Sequence, residues 1–181
     1  TYQEIAENNR QIFSKAASFI AILTAPNTGL EGQLDLEATQ LAELLAADPT
    51  LNAPYAALRV QEREYFILRQ PTSMDFVYDE VNSLRTRIEN SAILEGSELN
   101  QALTTLEIYL AIAEDITIID QRIQELRSEF DRSQASLDAV SGQLLTSVEV
   151  ELAAIHQDAK DISQQATIFN VVVLISGVAL I

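Results

Sequence analysis

The chain has 181 residues, 48% of them hydrophobic, with no Cys and a formal net charge of −16. An acidic balance of this size argues against nucleic acid, because phosphate backbones are gripped by Lys and Arg that displace counterions. It also argues against wholesale adsorption to anionic lipid, and the lack of Cys removes disulfides and thiolate metal sites.

Good helix formers dominate, with only five Gly and four Pro, so an all-α fold is predicted. Ile5, Ile12, Ala16, Phe19 and Leu23 recur at three-and-four spacing, and Asn9 fills the gap in that stripe. A breaker cluster over residues 25–29 ends this first helix. Leu30, Leu34, Ala38, Leu41 and Leu45 form a second stripe, which Asp48-Pro49 interrupts. Leu51, Tyr55, Leu58, Tyr65 and Leu68 continue as a third stripe up to Gln70-Pro71, with Thr72 or Ser73 placed to cap the next helix. A fourth stripe, Val77, Val81, Leu84 and Ile88, runs to a hinge at Glu95-Gly96.

Beyond Ser97 the seams are Leu103, Leu106, Leu110 and Ala113, then Ile116 to Phe130, then Leu137 to Ile162. One rod of such length would leave half its apolar seam bare, so a reversal is predicted between Asp115 and Ser133. The last twenty residues carry no formal charge. A bilayer span needs about twenty mostly apolar residues, and the sequence, which starts at Thr1, stops inside this run. The expectation is a fragment of a longer membrane protein, with a body over 1–165 and the start of a transmembrane helix over 166–181. Few Lys or Arg flank that segment, so the acidic body is placed outside the cytoplasm.

The architecture that satisfies these patterns is an elongated antiparallel helical bundle of two stacked four-helix modules sharing long helices. The first helix rises. The second and third descend end to end with Asp48-Pro49 as a kink, the fourth and fifth rise with Gly96 as a kink, and one long helix descends into the bilayer.

Three segments resemble helical bimodular ligand-binding domains, the extracytoplasmic sensor regions of chemoreceptors and histidine kinases. Leu58 to Leu68 is similar to that family's Arg-x-x-Glu-Lys/Arg-x-Phe/Tyr-Leu run, with Ile67 in place of a common Leu. Leu106-Glu107-Ile108-Tyr109 is similar to its Leu-x-x-Tyr segment, and Leu137 to Leu144 to its Leu-x-x-x-Gly-x-x-Leu stretch. The resemblance implies six helices in two stacked bundles, a homodimer, and ligands that are often small organic acids. The simpler four-helix chemoreceptor sensor domain is the close competitor.

Catalysis has little to stand on, since there is one His and no phosphate loop or nucleophile elbow. The single His156 cannot supply a di-metal site, and no cofactor or metal is expected. Binding is better supported. Five of the eleven basic residues fall between Arg59 and Arg87. Arg59 and Arg63 share a helix face, and a guanidinium fork suits a carboxylate. Tyr55 and Tyr65 lie near that face as hydroxyl donors, and Asn9 is a further candidate contact; register fixing is its structural alternative. For Arg59 and Arg63 the alternative is pairing with Glu62, Glu64 or acids on neighbouring helices. The expected function is an inner-membrane receptor's periplasmic or extracellular sensor region, a chemotaxis transducer or a histidine kinase, binding a small anionic organic ligand. The alternative is a membrane-anchored structural or partner-binding bundle.

Overall fold

The computed structural model describes residues 2–26 and 28–178, with side chains through residue 167. All its regular elements are helical: α1 (Tyr2–Thr24), α2 (Leu30–Leu45), a 3₁₀ turn (Pro49–Leu51), α3 (Asn52–Leu68), α4 (Pro71–Glu89) and α5 (Gly96–Val178). The all-α expectation holds. The chain divides into two compact units, residues 7–131 and residues 1–6 with 132–181.

In the larger unit the apolar stripes of α2 to α5 meet in one core. Leu34, Leu41, Leu45, Leu58, Val81, Leu84, Ile88, Leu106 and Ile116 are almost fully inaccessible to solvent. Each stripe repeats at three-and-four spacing, so each helix has one apolar face, which becomes stable only against its neighbours. Burying a Leu or Ile completely contributes about 1.5–3 kcal/mol. The core is therefore the main source of stability, and polar bonds between the helices select its geometry.

Cross-helix bonds give the directions. Tyr55 bonds to Ala38, Arg59 to Asp35 and Arg69 to Glu31, so α2 and α3 are antiparallel. Tyr78 meets Thr117 across α4 and α5, which places residues 90–95 at the tip of an antiparallel hairpin. Phe13 packs on Phe130 with ring centroids 4.9 Å apart, while Leu44 shares a cavity with Gln101 and Thr105. Both α1 and α2 thus run against α5, one after the other in the same direction.

The two breaker clusters have exchanged the roles expected of them. Residues 25–29 make a jog between successive helices, and Asp48-Pro49 makes a reversal. The reason at Asp48 is local. Its carboxylate accepts from the backbone N–H and hydroxyl of Thr50, and from the Ser91 hydroxyl of the α4–α5 loop, so it caps the 3₁₀ turn and ties two chain reversals together. At the jog, Gly29 sits against the backbone of Leu23 and Ala25, and an added Cβ would lie 2.5 Å from the Leu23 carbonyl. Only Gly fits. Gly96 has φ +54°, a left-handed conformation that Gly adopts without steric cost, so the expected kink is instead the first residue of α5, where the hairpin connection ends. On α4, Pro71 occupies the first turn and Gln70 the cap position. Ser73 is buried within that turn rather than capping it, because the helix already begins at Pro71, whose fixed φ suits the first helical position.

The reversal expected between Asp115 and Ser133 does not occur, since α5 is unbroken from Gly96 to Val178. The expectation rested on covering every apolar seam within one chain. The chain instead leaves part of that seam open. In the smaller unit Ser133, Gln134, Leu137 and Val140 are half-buried, and every described side chain from 141 to 167 is exposed. Among the described residues no helix is long and apolar enough to cross a membrane. The segment predicted to enter a bilayer, 166–181, falls almost wholly outside the described side chains.

Candidate ligand site

Helix α3 carries Arg59, Glu62, Tyr65 and Arg69 at spacings of three and four, which brings them to one face. That face builds two polar layers in the bundle. In the first, Arg59 donates through Nη1 to Glu62 Oε2 at 2.8 Å and through Nη2 to Asp35 Oδ1 at 2.6 Å. Tyr109 of α5 donates its hydroxyl to the same Glu62 oxygen at 2.7 Å. In the second, Tyr65 and Arg69 both donate to Asp120 of α5, and Arg69 also pairs with Glu31 of α2. The Arg69 guanidinium lies 4.9 Å from the Phe66 ring centroid. Each layer joins α2, α3 and α5.

Arg69 ends α3 with φ +50°, a conformation that costs a side chain about 1–2 kcal/mol. Two ion pairs and the aromatic contact hold it there. Electrostatics in the layers follow from burial. Glu62 is pushed above the ordinary carboxylate range by desolvation, which outweighs the Tyr109 hydrogen bond and the Arg59 charge. Burial, reinforced by the carboxylates they face, raises Tyr65 and Tyr109 far above a free phenol. Burial alone would lower Arg59 and Arg69, but Glu62 and Asp35 raise the first and Glu31 and Asp120 the second.

The five sequence-nominated residues do not converge on one cavity. Arg59 has its fork engaged by Asp35 and Glu62, the internal pairing expected as the alternative to a ligand contact. Tyr55 donates to the Ala38 carbonyl at 2.8 Å, and Tyr65 is buried on Asp120. Arg63 is exposed, and its charge reaches Glu62 and Tyr55 through space. Asn9 on α1 is half-buried, with its side-chain oxygen enclosed and without a hydrogen-bond partner. His156 is exposed on α5 and lies near the Leu152 carbonyl. Among the described residues no cluster of acidic or His side chains could hold a metal.

Among the hollows between described elements of the larger unit, two are lined by polar groups. One, of about 440 Å³, lies between α2 and α5 and is lined by Gln40, Glu43, Leu44, Gln101 and Thr105. The other, of about 350 Å³, lies between the 3₁₀ turn and the α4–α5 loop and is lined by Asp48, Thr50, Leu51, Arg87, Asn90, Ser91, Ala92 and Ile93. Sequence reasoning missed Asp48, Asn90 and Ser91 because they come from two loops forty residues apart. It missed Asp120 because one carboxylate among many carries no distinguishing spacing. Glu62 and Tyr109 did leave a signal. Glu62 continues the Leu58-to-Tyr65 stripe, and Tyr109 stands three residues after Leu106 in an apolar seam. Polar groups in such places need partners.

No family model matches the chain, and neither the curated proteins nor the solved structures contain a significant match.

Proposed function

We propose that this chain is the extracytoplasmic sensor region of a transmembrane signalling receptor, a chemotaxis transducer, that binds a small solute such as an organic acid. The observation that carries the reading is the continuity of α5. Its first part walls the core of the larger unit, and the same unbroken helix extends to Val178, inside the uncharged terminal run. A helix that is both core wall and membrane entry is the simplest way to pass a packing change inward. Ligand shifts such an equilibrium only by its difference in affinity between two arrangements, and a slide, tilt or rotation of α5 would carry the shift. The resemblance of residues 58–68, 106–109 and 137–144 to helical bimodular sensors supports the same reading, with histidine kinases as the other receptor class.

On this proposal the protein sits in an inner membrane, its acidic body in the periplasm or outside the cell. It works as a homodimer. Leu144, Leu145, Val148, Leu152, Ile155 and Ile162 are exposed large apolar residues in the smaller unit, and a second copy would cover them. The second of the two stacked modules would then be completed between copies, which the open seam of α5 supports.

The same exposed residues favour a second reading, a bundle that binds a protein partner without sensing a solute. A melting screen of the full chain in detergent separates the two. Against organic acids, amino acids and aromatics, a true ligand at 100-fold excess over its Kd stabilises by about 2.7 kcal/mol. A flat response across all three classes, with a periplasmic protein retained through purification, would establish the second reading.

A further inference from the structure

The hollow at the tip of the α4–α5 hairpin has a chemistry of its own. Arg87 is the one basic residue lining either described hollow, and it is exposed. Unlike Arg59 and Arg69, it makes no ion pair among the described residues. Its fork is available to a carboxylate. The other polar groups mostly accept. Asp48 uses its lone pairs on Thr50 and Ser91 but keeps its negative charge, held below the usual carboxylate range by the Ser91 and Thr50 hydrogen bonds. The Thr50 hydroxyl gives its proton to Asp48 and keeps its oxygen lone pairs, and Asn90 uses an amide N–H on Thr86 and keeps its carbonyl. Ser91 is saturated, because it also accepts from Ile93 and Leu94. Leu51 and Ile93 supply an apolar wall.

One cation for a carboxylate, acceptors and a fixed negative charge for a donor, and an apolar wall together describe an α-amino acid. Charge favours the same class. A net charge of −16 repels a net anion over a Debye length of about 8 Å at physiological ionic strength, so among the small solutes of the sensor reading a zwitterion, with no net charge, is favoured over an organic acid. We infer that this hollow is a binding site for a small neutral α-amino acid. The carboxylate sits on Arg87, the ammonium faces Thr50, Asn90 and Asp48, and the side chain lies on Leu51 and Ile93. The inference deepens the sensor reading and rests on it.

Calorimetric titration of the full chain in detergent tests it with three probes of matched side chain: leucine, its 2-hydroxy acid and its deaminated carboxylate. Leucine is expected to bind most tightly, the hydroxy acid less so and the plain carboxylate at least about tenfold more weakly, the loss of one good charged contact. Arg87→Gln, and separately Ile93→Trp to fill the hollow, should each weaken leucine by about tenfold or more with helicity unchanged. Equal binding of all three probes would overturn the ligand class. Binding untouched by both variants would overturn the site while leaving the sensor reading standing. Absence of any leucine binding would overturn the proposal, and the broader melting screen would then decide the sensor reading by itself.

Discussion

Glu62 is 5% exposed and accepts from both Arg59 and Tyr109, yet burial raises its pKa because desolvation outweighs both partners. Linkage fixes the consequence. An unfolded Glu titrates near about 4.3. Between that value and the higher folded value, the native state keeps a proton that the unfolded chain has lost. Glu62's favourable contribution is therefore fully present below the unfolded pKa and is lost as pH rises through the folded one. Glu62→Gln cannot titrate, so its stability relative to the parent should rise with pH across that window and level off above it. Urea unfolding midpoints at half-unit pH steps would show this. Parallel curves for parent and variant would mean that Arg59, Arg63 and Tyr109 already offset the burial and the nearby Asp35 charge.

At the scale of elements, the glycines separate conformational need from packing. Gly96 has φ +54° and open space where a Cβ would go, so Gly96→Ala should cost about 1 kcal/mol through backbone strain alone. Gly32 lies inside α2 with nothing within 4 Å of an added Cβ. Gly32→Ala should stabilise by about 0.5–1 kcal/mol, since Ala loses less entropy in a helix. Thermal unfolding of the two variants should move in opposite directions, and a shift of the same sign in both would refute the assignment of strain to the hairpin. The stripes that made α1 to α4 legible in the sequence are periodic signals confined to one helix. Chain direction is not. Both residues 25–29 and Asp48-Pro49 carry breakers, and only the tertiary partners of Asp48 and the backbone crowding at Gly29 decide which one reverses the chain. The reversal expected after Asp115 came from assuming that an apolar seam must be covered by its own chain, and α5 does not obey that assumption. Arg59 has its fork engaged by Asp35 and Glu62 for a related reason. A guanidinium on a buried face readily finds an internal partner, whereas Arg87 lies in the last turn of α4, where no carboxylate among the described residues takes its fork.

For the whole molecule, the polar layers and the apolar core act on the same helix. Asp120 and Tyr109 bind α5 to α3, and Thr117 binds it to α4, so a change in packing at the hairpin tip meets α5 at several levels. On the proposed function, α5 conveys occupancy of the bundle to its far end. The most direct test is a hybrid receptor in which the full chain replaces the sensory region of a chemoreceptor, with kinase output read in membranes against whichever solute raises the melting point. The account predicts a saturable change in kinase activity with a midpoint near the solute's Kd, abolished when a short Gly-Ser segment is inserted into α5 after Gln165. Tight binding with unchanged kinase activity, or a response that survives the flexible insertion, would contradict it.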